Sequence, residues 1–116
     1  MLTLRAAYNY AETLGQLQRS EEAKSLMRKT VPVARRVLGE GNGLTLGMHL
    51  NYAQSLYRDA DATLDDLREA VTTLEVAKRT ARRVYGGAHP HTSAIEGALR
   101  YARAALRARE TPSRNA

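Results

Sequence analysis

Residues 3–14, TLRAAYNYAETL, recur 42 positions later as residues 45–56, TLGMHLNYAQSL. The two stretches share Thr-Leu, Asn-Tyr-Ala and a final Leu at matching positions. Farther along, Glu-Ala at residues 22–23 and Arg-Arg-Val at residues 35–37 recur with an offset of 47, so the second copy holds five additional residues, between Tyr57 and Leu67. A chain made of two copies of one unit predicts a fold that stacks small repeated elements. The insertion is expected in a loop or at a helix start, where extra residues are tolerated.

The composition favours a single helical domain. The chain has 116 residues with no Phe and no Trp but six Tyr, so its core must be built from Leu, Val, Ala and tyrosine rings. Leu and Ala are frequent and β-branched runs are few, which is typical of helices. Cysteine is absent, which excludes disulfides and thiolate metal sites. The chain lacks an apolar run of about 18 residues and a signal-peptide pattern, so the sequence predicts a soluble cytoplasmic protein.

Apolar residues at three-four spacing predict five helices, with an all-α fold as the result. The first runs from Leu4 to about Gln18, with an apolar stripe that includes Tyr10, Ala11, Leu14 and Leu17. The second is expected from a Ser20 N-cap to Leu38, with Gly39 as its stop and a kink but no break at Pro32. The third runs from an Asn42 cap to about Tyr57, and the fourth from near Thr63 to Val84 or Tyr85, before Gly86. The fifth begins at Pro90 and extends to about Arg109.

The repeated pattern resembles tetratricopeptide repeats of the longer, kinesin-light-chain-like type. It is carried by Asn-Tyr-Ala-x-x-Leu in the first helix of each unit, Glu-Ala early in the second, Arg-Val-Leu-Gly or Arg-Val-Tyr-Gly at its end, and the segment 89–92, His-Pro-His-Thr. The resemblance implies antiparallel helical hairpins stacked as a short right-handed solenoid. The repeat domain would span 1–109, with unit one at 3–41, unit two at 42–88, a capping helix at 89–109 and a flexible tail at 110–116.

The third unit departs from the pattern. It ends after one helix, and the position of Asn51 is taken by Ala98. Arginines make one side of this helix polar, as expected of a capping helix; they are Arg100, Arg103, Arg107 and Arg109. Apolar residues near the first repeat, including Leu2 and Leu4, are expected to be exposed, and a homo-oligomer through uncapped ends is therefore possible.

The resemblance also implies a peptide ligand. In the family, the first helices of successive units line a concave groove, where the Asn of Asn-x-Ala bonds the backbone of an extended peptide. The matching groove residues here are Arg5, Tyr8, Asn9, Glu12, Gln16, Leu50, Asn51, Gln54 and Arg58. Arg5 and Arg58 would favour an acidic ligand. An alternative interpretation is that Asn9 and Asn51 tie neighbouring helices together.

Other chemistry finds little support in the sequence. His89 and His91 are too few for a metal site, and His89 is better interpreted as a helix cap. The aspartates at residues 59, 61, 65 and 66 lack the glycine and terminal glutamate of a calcium loop, and Thr63 with Asp66 resembles a capping box. We expect no cofactor. A phosphate loop, a nucleophile elbow and a nucleophile–histidine–carboxylate set are absent, so an enzyme is not expected.

Two alternatives to a peptide-binding module remain. The first rests on the net charge of +6, since fifteen of the eighteen basic residues are arginine. The arginine-rich second helices can contact nucleic acid or acidic surfaces from the convex side, although aromatic residues for base stacking are not interleaved with them. The second alternative is a scaffold piece that assembles with copies of itself.

Overall fold

The computed structural model describes residues 3–111 and contains five α-helices in that range. They are α1 Leu4–Gln16, α2 Ser20–Leu38, α3 Gly43–Tyr57, α4 Leu64–Tyr85 and α5 Pro90–Glu110. The prediction of an all-α fold with five helices is confirmed. The first helix ends two residues earlier than predicted. Of the predicted tail, Glu110 is the last residue of α5, and residues 112–116 lie outside the described range.

The helices pack as consecutive hairpins in two layers. Each helix contacts the next along the chain, and α3 also contacts α1 and α5. Within residues 3–111, the backbones of α2 and α4 do not approach each other closely, and an ion pair between Arg28 and Glu69 at 4.0 Å reaches from one helix to the other. The layer formed by α1, α3 and α5 is therefore more closely packed than the layer formed by α2 and α4, and we define the α1/α3/α5 side as the inner face.

Alanine allows the helices to approach closely. Ala11 and Ala23 are buried in the first hairpin, and Ala53 and Ala70 are buried in the second. Each pair occupies the same register position in the two units, as the sequence predicts. Larger buried side chains fill the space around these contacts, among them Leu14, Met27, Leu56 and Leu74. Small residues at the crossings and large residues beside them give the dense packing that a stacked array requires.

The helix ends follow local sequence chemistry, with one exception. Asn42 accepts a hydrogen bond from the Leu44 amide at 2.9 Å, and Thr63 and Asp66 form a complete capping box, so both predictions are confirmed. The prediction of Ser20 as an N-cap is wrong: Ser20 is the first residue of α2, and Arg19 precedes it without a side-chain cap. Arg19 instead pairs with Glu22 at 2.6 Å.

The glycine stops predicted for α2 and α4 are confirmed. Gly39 and Gly86 follow these helices with φ of 91° and 88°, a backbone region that side chains other than glycine adopt with strain. α2 continues without a break across Pro32, although proline has no N–H to donate to the carbonyl four residues before it. The five additional residues of unit two lie in the α3–α4 loop and the first turn of α4, as expected.

Two residues of the predicted apolar stripe of α1 are not buried. Tyr10 is 48% exposed and Leu17 is 60% exposed, so this part of the prediction is wrong. The physical reason is visible in the equivalent residue Tyr52, which is only 8% exposed because α2 of the preceding unit covers it. In residues 3–111 no earlier helix covers α1 in the same way.

Burial predicts which leucines stabilise the fold. Replacing the fully buried Leu74 by Ala is expected to lower the free energy of unfolding by about 2–5 kcal/mol, because the substitution leaves a cavity in the core. Urea denaturation followed by circular dichroism measures this change. The control is Leu17→Ala, for which a change below about 1 kcal/mol is expected at an exposed site. Equal losses in the two variants would contradict the packing described above.

Candidate functional site

Three cavities follow one another along the inner face. The largest, of about 570 Å³, is lined by residues from the first turns of α1, α3 and α5. A second, of about 150 Å³, lies between the later turns of α1 and α3, and a third, of about 350 Å³, lies between α3 and α5. Since the same part of each helix contributes to the largest cavity, the three helices run in the same direction. Together these cavities form a groove across the three helices, called the inner groove below.

The largest cavity is mainly apolar, with polar groups at its edge. Its apolar lining comes from Leu44, Leu46, Leu50, Ala94 and Ile95, and its polar lining includes Arg5, Tyr8 and His91. Gly47 allows the Tyr8 ring to lie against α3, because a Cβ atom at position 47 would be 3.3 Å from that ring. The Tyr8 hydroxyl donates a hydrogen bond to Glu12 at 3.2 Å. Burial, followed by the Glu12 charge, raises the pKa of Tyr8, so its hydroxyl stays protonated at neutral pH.

The second cavity is the most polar of the three in its side chains. Five of the residues predicted for the groove line it: Glu12, Gln16, Asn51, Gln54 and Arg58. Asn51 is only 9% exposed, whereas Gln54 and Arg58 are more accessible and also line the third cavity. Gln54 and Arg58 therefore occupy the junction between two cavities, where a ligand lying along the groove would pass.

The third cavity contains two tyrosines that the sequence analysis did not assign to the groove. The rings of Tyr57 and Tyr101 lie 5.1 Å apart between centroids, and the Arg58 guanidinium lies 6.0 Å from the Tyr57 centroid. Burial raises the pKa of Tyr57, although the nearby Arg58 opposes that shift. The repeat spacing could have identified Tyr101, because Tyr101 follows Gln54 by 47 residues and therefore occupies the position of Gln54 in the next unit.

The structure brings eight of the nine predicted groove residues to the inner groove. Arg5, Tyr8 and Leu50 line the first cavity, and the other five line the second. Asn9 is the residue that lines none of the three cavities; it is exposed on α1, and its backbone carbonyl accepts a hydrogen bond from Thr13. The two repeated asparagines therefore have different surroundings in the two units.

The charge of the inner groove is predominantly positive. Arg5 and Arg58 line it, and neither forms an ion pair with a carboxylate within residues 3–111. The carboxylate of Glu12 also lines it and is bonded to the Tyr8 hydroxyl. The two guanidinium groups therefore remain available to a ligand carrying negative charge.

A separate cavity of about 420 Å³ lies on the opposite side, between α2 and α4. Tyr52 of α3 lines it, and the Tyr52 hydroxyl accepts a hydrogen bond from Arg28 of α2 at 3.1 Å and donates one to Glu69 of α4. These bonds connect three consecutive helices. The Tyr52 hydroxyl thus joins the two units on the side where the outer helices separate.

His49 lies in the same region and is partly buried. Burial lowers the pKa of its imidazole below the usual value of 6.5; the Glu40 carboxylate opposes this shift and Arg35 adds to it. A histidine in this state is neutral at pH 7 and resists protonation in the folded protein.

Many arginines of the predicted basic surface are engaged in ion pairs within the protein. Arg35 pairs with Glu40 at 2.5 Å, Arg82 with Glu96 at 2.8 Å and Arg103 with Glu75 at 3.0 Å. The last two pairs connect α4 to α5. These guanidinium groups therefore contribute to contacts between helices as well as to the surface charge.

Metal binding and membrane insertion can be assessed from the described side chains and helices. Within residues 3–111, no cluster of three or more His, Cys, Asp or Glu side chains has the arrangement needed to hold a metal ion. Among the described helices, none combines the length and apolar character needed to cross a membrane.

Comparison with known proteins gives a family match over the first repeat. The profile of one family, described as tetratricopeptide repeat, matches residues 3–42. The matched segment contains α1, α2 and the turn before α3. Neither a curated protein nor a solved structure matches the chain.

The partly buried His49 predicts a pH dependence of the free energy of unfolding. Its pKa is lower in the folded protein than in the unfolded chain, so its contribution is fully present above about pH 6.5 and is lost as the pH falls toward the folded value. Between about pH 7 and pH 5, the free energy of unfolding should therefore decrease more steeply in the original protein than in His49→Gln. Urea denaturation at a series of pH values measures both slopes. The matched control is His91→Gln, which makes the same substitution at an exposed histidine. Identical slopes for the original protein and His49→Gln would contradict this account.

Proposed function

We propose, from the premise that residues 3–42 form a tetratricopeptide repeat, that this protein is a non-catalytic interaction module that holds an extended peptide in the inner groove. The observation that carries the proposal is the alignment of three cavities along α1, α3 and α5. A continuous groove across parallel helices suits a ligand without secondary structure of its own, which can place successive side chains in successive cavities.

The amide of Gln54 is the principal group for binding the peptide backbone in this proposal. An amide side chain both donates and accepts hydrogen bonds, so it can pair with the N–H and C=O of any residue. Gln54 lines two cavities, whereas Asn51 is nearly enclosed by its neighbours. Asn51 then supports the wall of the groove, and Gln54 makes the more exposed contact.

The ligand is proposed to be acidic. Arg5 and Arg58 line different cavities and are not held by carboxylates within residues 3–111, so each can pair with a carboxylate of the peptide. Such pairing selects among peptides by charge, while the amide contact tolerates any sequence.

The proposed organisation of the chain places unit one at 3–41, unit two at 42–88 and α5 as a capping helix of a repeat domain at 1–109. The repeat spacing of 42 to 47 residues supports the longer, kinesin-light-chain-like type, since it exceeds the usual length of about 34 residues. We further propose that the module acts in the cytoplasm, which the absence of cysteine favours.

A self-assembling scaffold is the second candidate, favoured by the exposure of Tyr10 on α1 and of Leu17 directly after it. Measurement of the molecular mass by sedimentation across a range of concentrations tests it. A mass that rises with concentration and falls back in Tyr10→Ser would support assembly through this surface. A constant monomer mass would exclude assembly.

Nucleic-acid binding is less favoured than either of these functions, because several arginines of the outer helices pair with carboxylates.

Removing the charge of Arg58 tests peptide binding in the inner groove. Arg58→Ala is expected to weaken binding of a glutamate-rich peptide about tenfold, because a charged hydrogen bond contributes about 1.5–3 kcal/mol. Fluorescence anisotropy of a labelled peptide measures the dissociation constant. Arg36→Ala is the matched control, since it removes the same charge from an exposed arginine of α2.

The proposal requires the two arginine variants to differ. Arg36→Ala should bind within about twofold of the original protein, a change of less than about 0.5 kcal/mol. Equal weakening in both variants, together with steeply salt-dependent binding of single-stranded DNA, would instead favour the basic outer surface.

A further inference from the structure

The inner groove changes character from α1 to α5. The groove positions of unit one carry Arg5, Tyr8, Asn9, Glu12 and Gln16. Adding the offsets of 42 and 47 places the third-unit equivalents at Ala94, Gly97, Ala98, Tyr101 and Ala105. All five are uncharged, and four are small. The part of the groove on α5 therefore lacks the charged side chains found on α1, and its one large side chain is a tyrosine.

In this part of the groove, two tyrosine rings form a wall beside a floor of small residues. Tyr101 is 63% exposed, and its ring lies beside that of Tyr57 with an angle of 33° between the ring planes. Ala94, Gly97 and Ala98 form the floor of the third cavity. At 5.1 Å between centroids, the two rings leave no room for a group between them and instead present a joint surface. We call this the tyrosine subsite.

The groups around the tyrosine subsite are suited to the backbone and the charge of a peptide. Gln54 and Arg58 line the same cavity, and Arg58 is the one charged residue of its lining. The Gln54 amide can donate to a peptide carbonyl, and Arg58 can pair with a carboxylate on a neighbouring residue. Both groups stand next to the ring surface, so the three contacts can be made by adjacent residues of one ligand.

We infer that the tyrosine subsite binds a proline ring in an acidic, extended segment of a partner protein; this inference rests on the proposed peptide-binding function. An open surface of tyrosine rings favours a flat, rigid apolar group, whereas a long flexible side chain needs an enclosed pocket to offset the entropy of ordering it. Proline has no such side-chain entropy to lose, and aromatic-lined grooves are a recurring binding mode for proline-rich segments.

The backbone chemistry of a proline-rich segment agrees with the same assignment. A polyproline II helix has about three residues per turn and leaves its carbonyl groups free of internal hydrogen bonds. Its carbonyls can therefore accept from Gln54 while every third side chain faces the tyrosines. A glutamate one residue away from the prolines then lies near Arg58.

Two peptides of equal charge separate proline recognition from general acidic binding. One contains repeated Pro-Pro-Glu and the other repeated Ala-Ala-Glu, each about twelve residues long to span the groove. Titration calorimetry with the full chain is expected to show about tenfold tighter binding of the proline peptide, in line with the energy of aromatic contacts. Equal affinity for both peptides would overturn the inference and leave the proposed function standing. Binding of neither peptide would overturn both.

Variants distinguish the tyrosine wall from the intrinsic stiffness of the proline peptide. Tyr101→Ala should abolish the preference for proline and leave the affinity for the alanine peptide within about twofold, whereas stiffness of the peptide would preserve the preference. Tyr101→Phe should retain it. The matched control is Tyr10→Ala, which removes an exposed tyrosine of α1 that lines none of the three cavities and should keep the preference. A preference that survives Tyr101→Ala, or is lost equally in Tyr10→Ala, would contradict the inference.

A variant in the floor gives a second test. A Cβ atom at Gly97 would lie 3.7 Å from the nearest Arg100 atom, an ordinary contact, so the fold accepts a side chain there. Gly97→Leu should keep its helical content, because leucine favours helices over glycine, while filling the subsite. Loss of the proline preference in this folded variant would support the inference, and full retention would overturn it.

Discussion

The close approach of helices at small residues is the constraint on which the rest of the structure depends. Ala11 packs within the first hairpin, and Ala53 occupies the same register position in the next unit. Both residues have almost no exposed surface. At these points a larger side chain would have to separate the helices, and the packing of the leucines beside them would be lost. Because the same contact recurs in each unit, it sets how the hairpins follow one another.

This contact also determines where a ligand can bind. With α1, α3 and α5 packed side by side, the side chains on their free face line the inner groove. The outer helices separate, and the space between them is bridged by the Tyr52 hydroxyl and its partners on α2 and α4. The two faces thus differ: one presents side chains along a groove, and the other connects the units through a partly buried hydrogen-bond network.

Features that depend on nearby residues were predictable from the sequence. Asn42, Thr63 with Asp66, and His89 cap the helices that follow them, because each cap involves atoms within three residues. The repeat predicted the buried alanines and most of the groove. The predicted N-cap of α2 was misplaced by one position, since Ser20 is the first helical residue and Arg19 precedes it without a capping side chain.

Features that depend on a neighbouring unit were not predictable in the same way. Tyr10 and Tyr52 occupy equivalent positions within the same Asn-Tyr-Ala motif, but α2 covers Tyr52 and no described helix covers Tyr10 equivalently. Similarly, Tyr57 lies at the end of α3 and joins the groove only because the ring of Tyr101 on α5 is beside it. Local periodicity assigns a residue to a helix face, but the contact requires the relative placement of two helices.

The most direct test of peptide binding in the inner groove is a nuclear magnetic resonance titration of the isotope-labelled chain with an acidic, proline-containing peptide. Backbone amide shifts are expected to change on α1, α3 and α5, with Gln54 and Gly97 among the residues affected, while the shifts of exposed residues on the outer helices, such as Arg36 and Arg83, stay unchanged. Shift changes concentrated on α2 and α4 would contradict it, as would a spectrum that does not respond to the peptide.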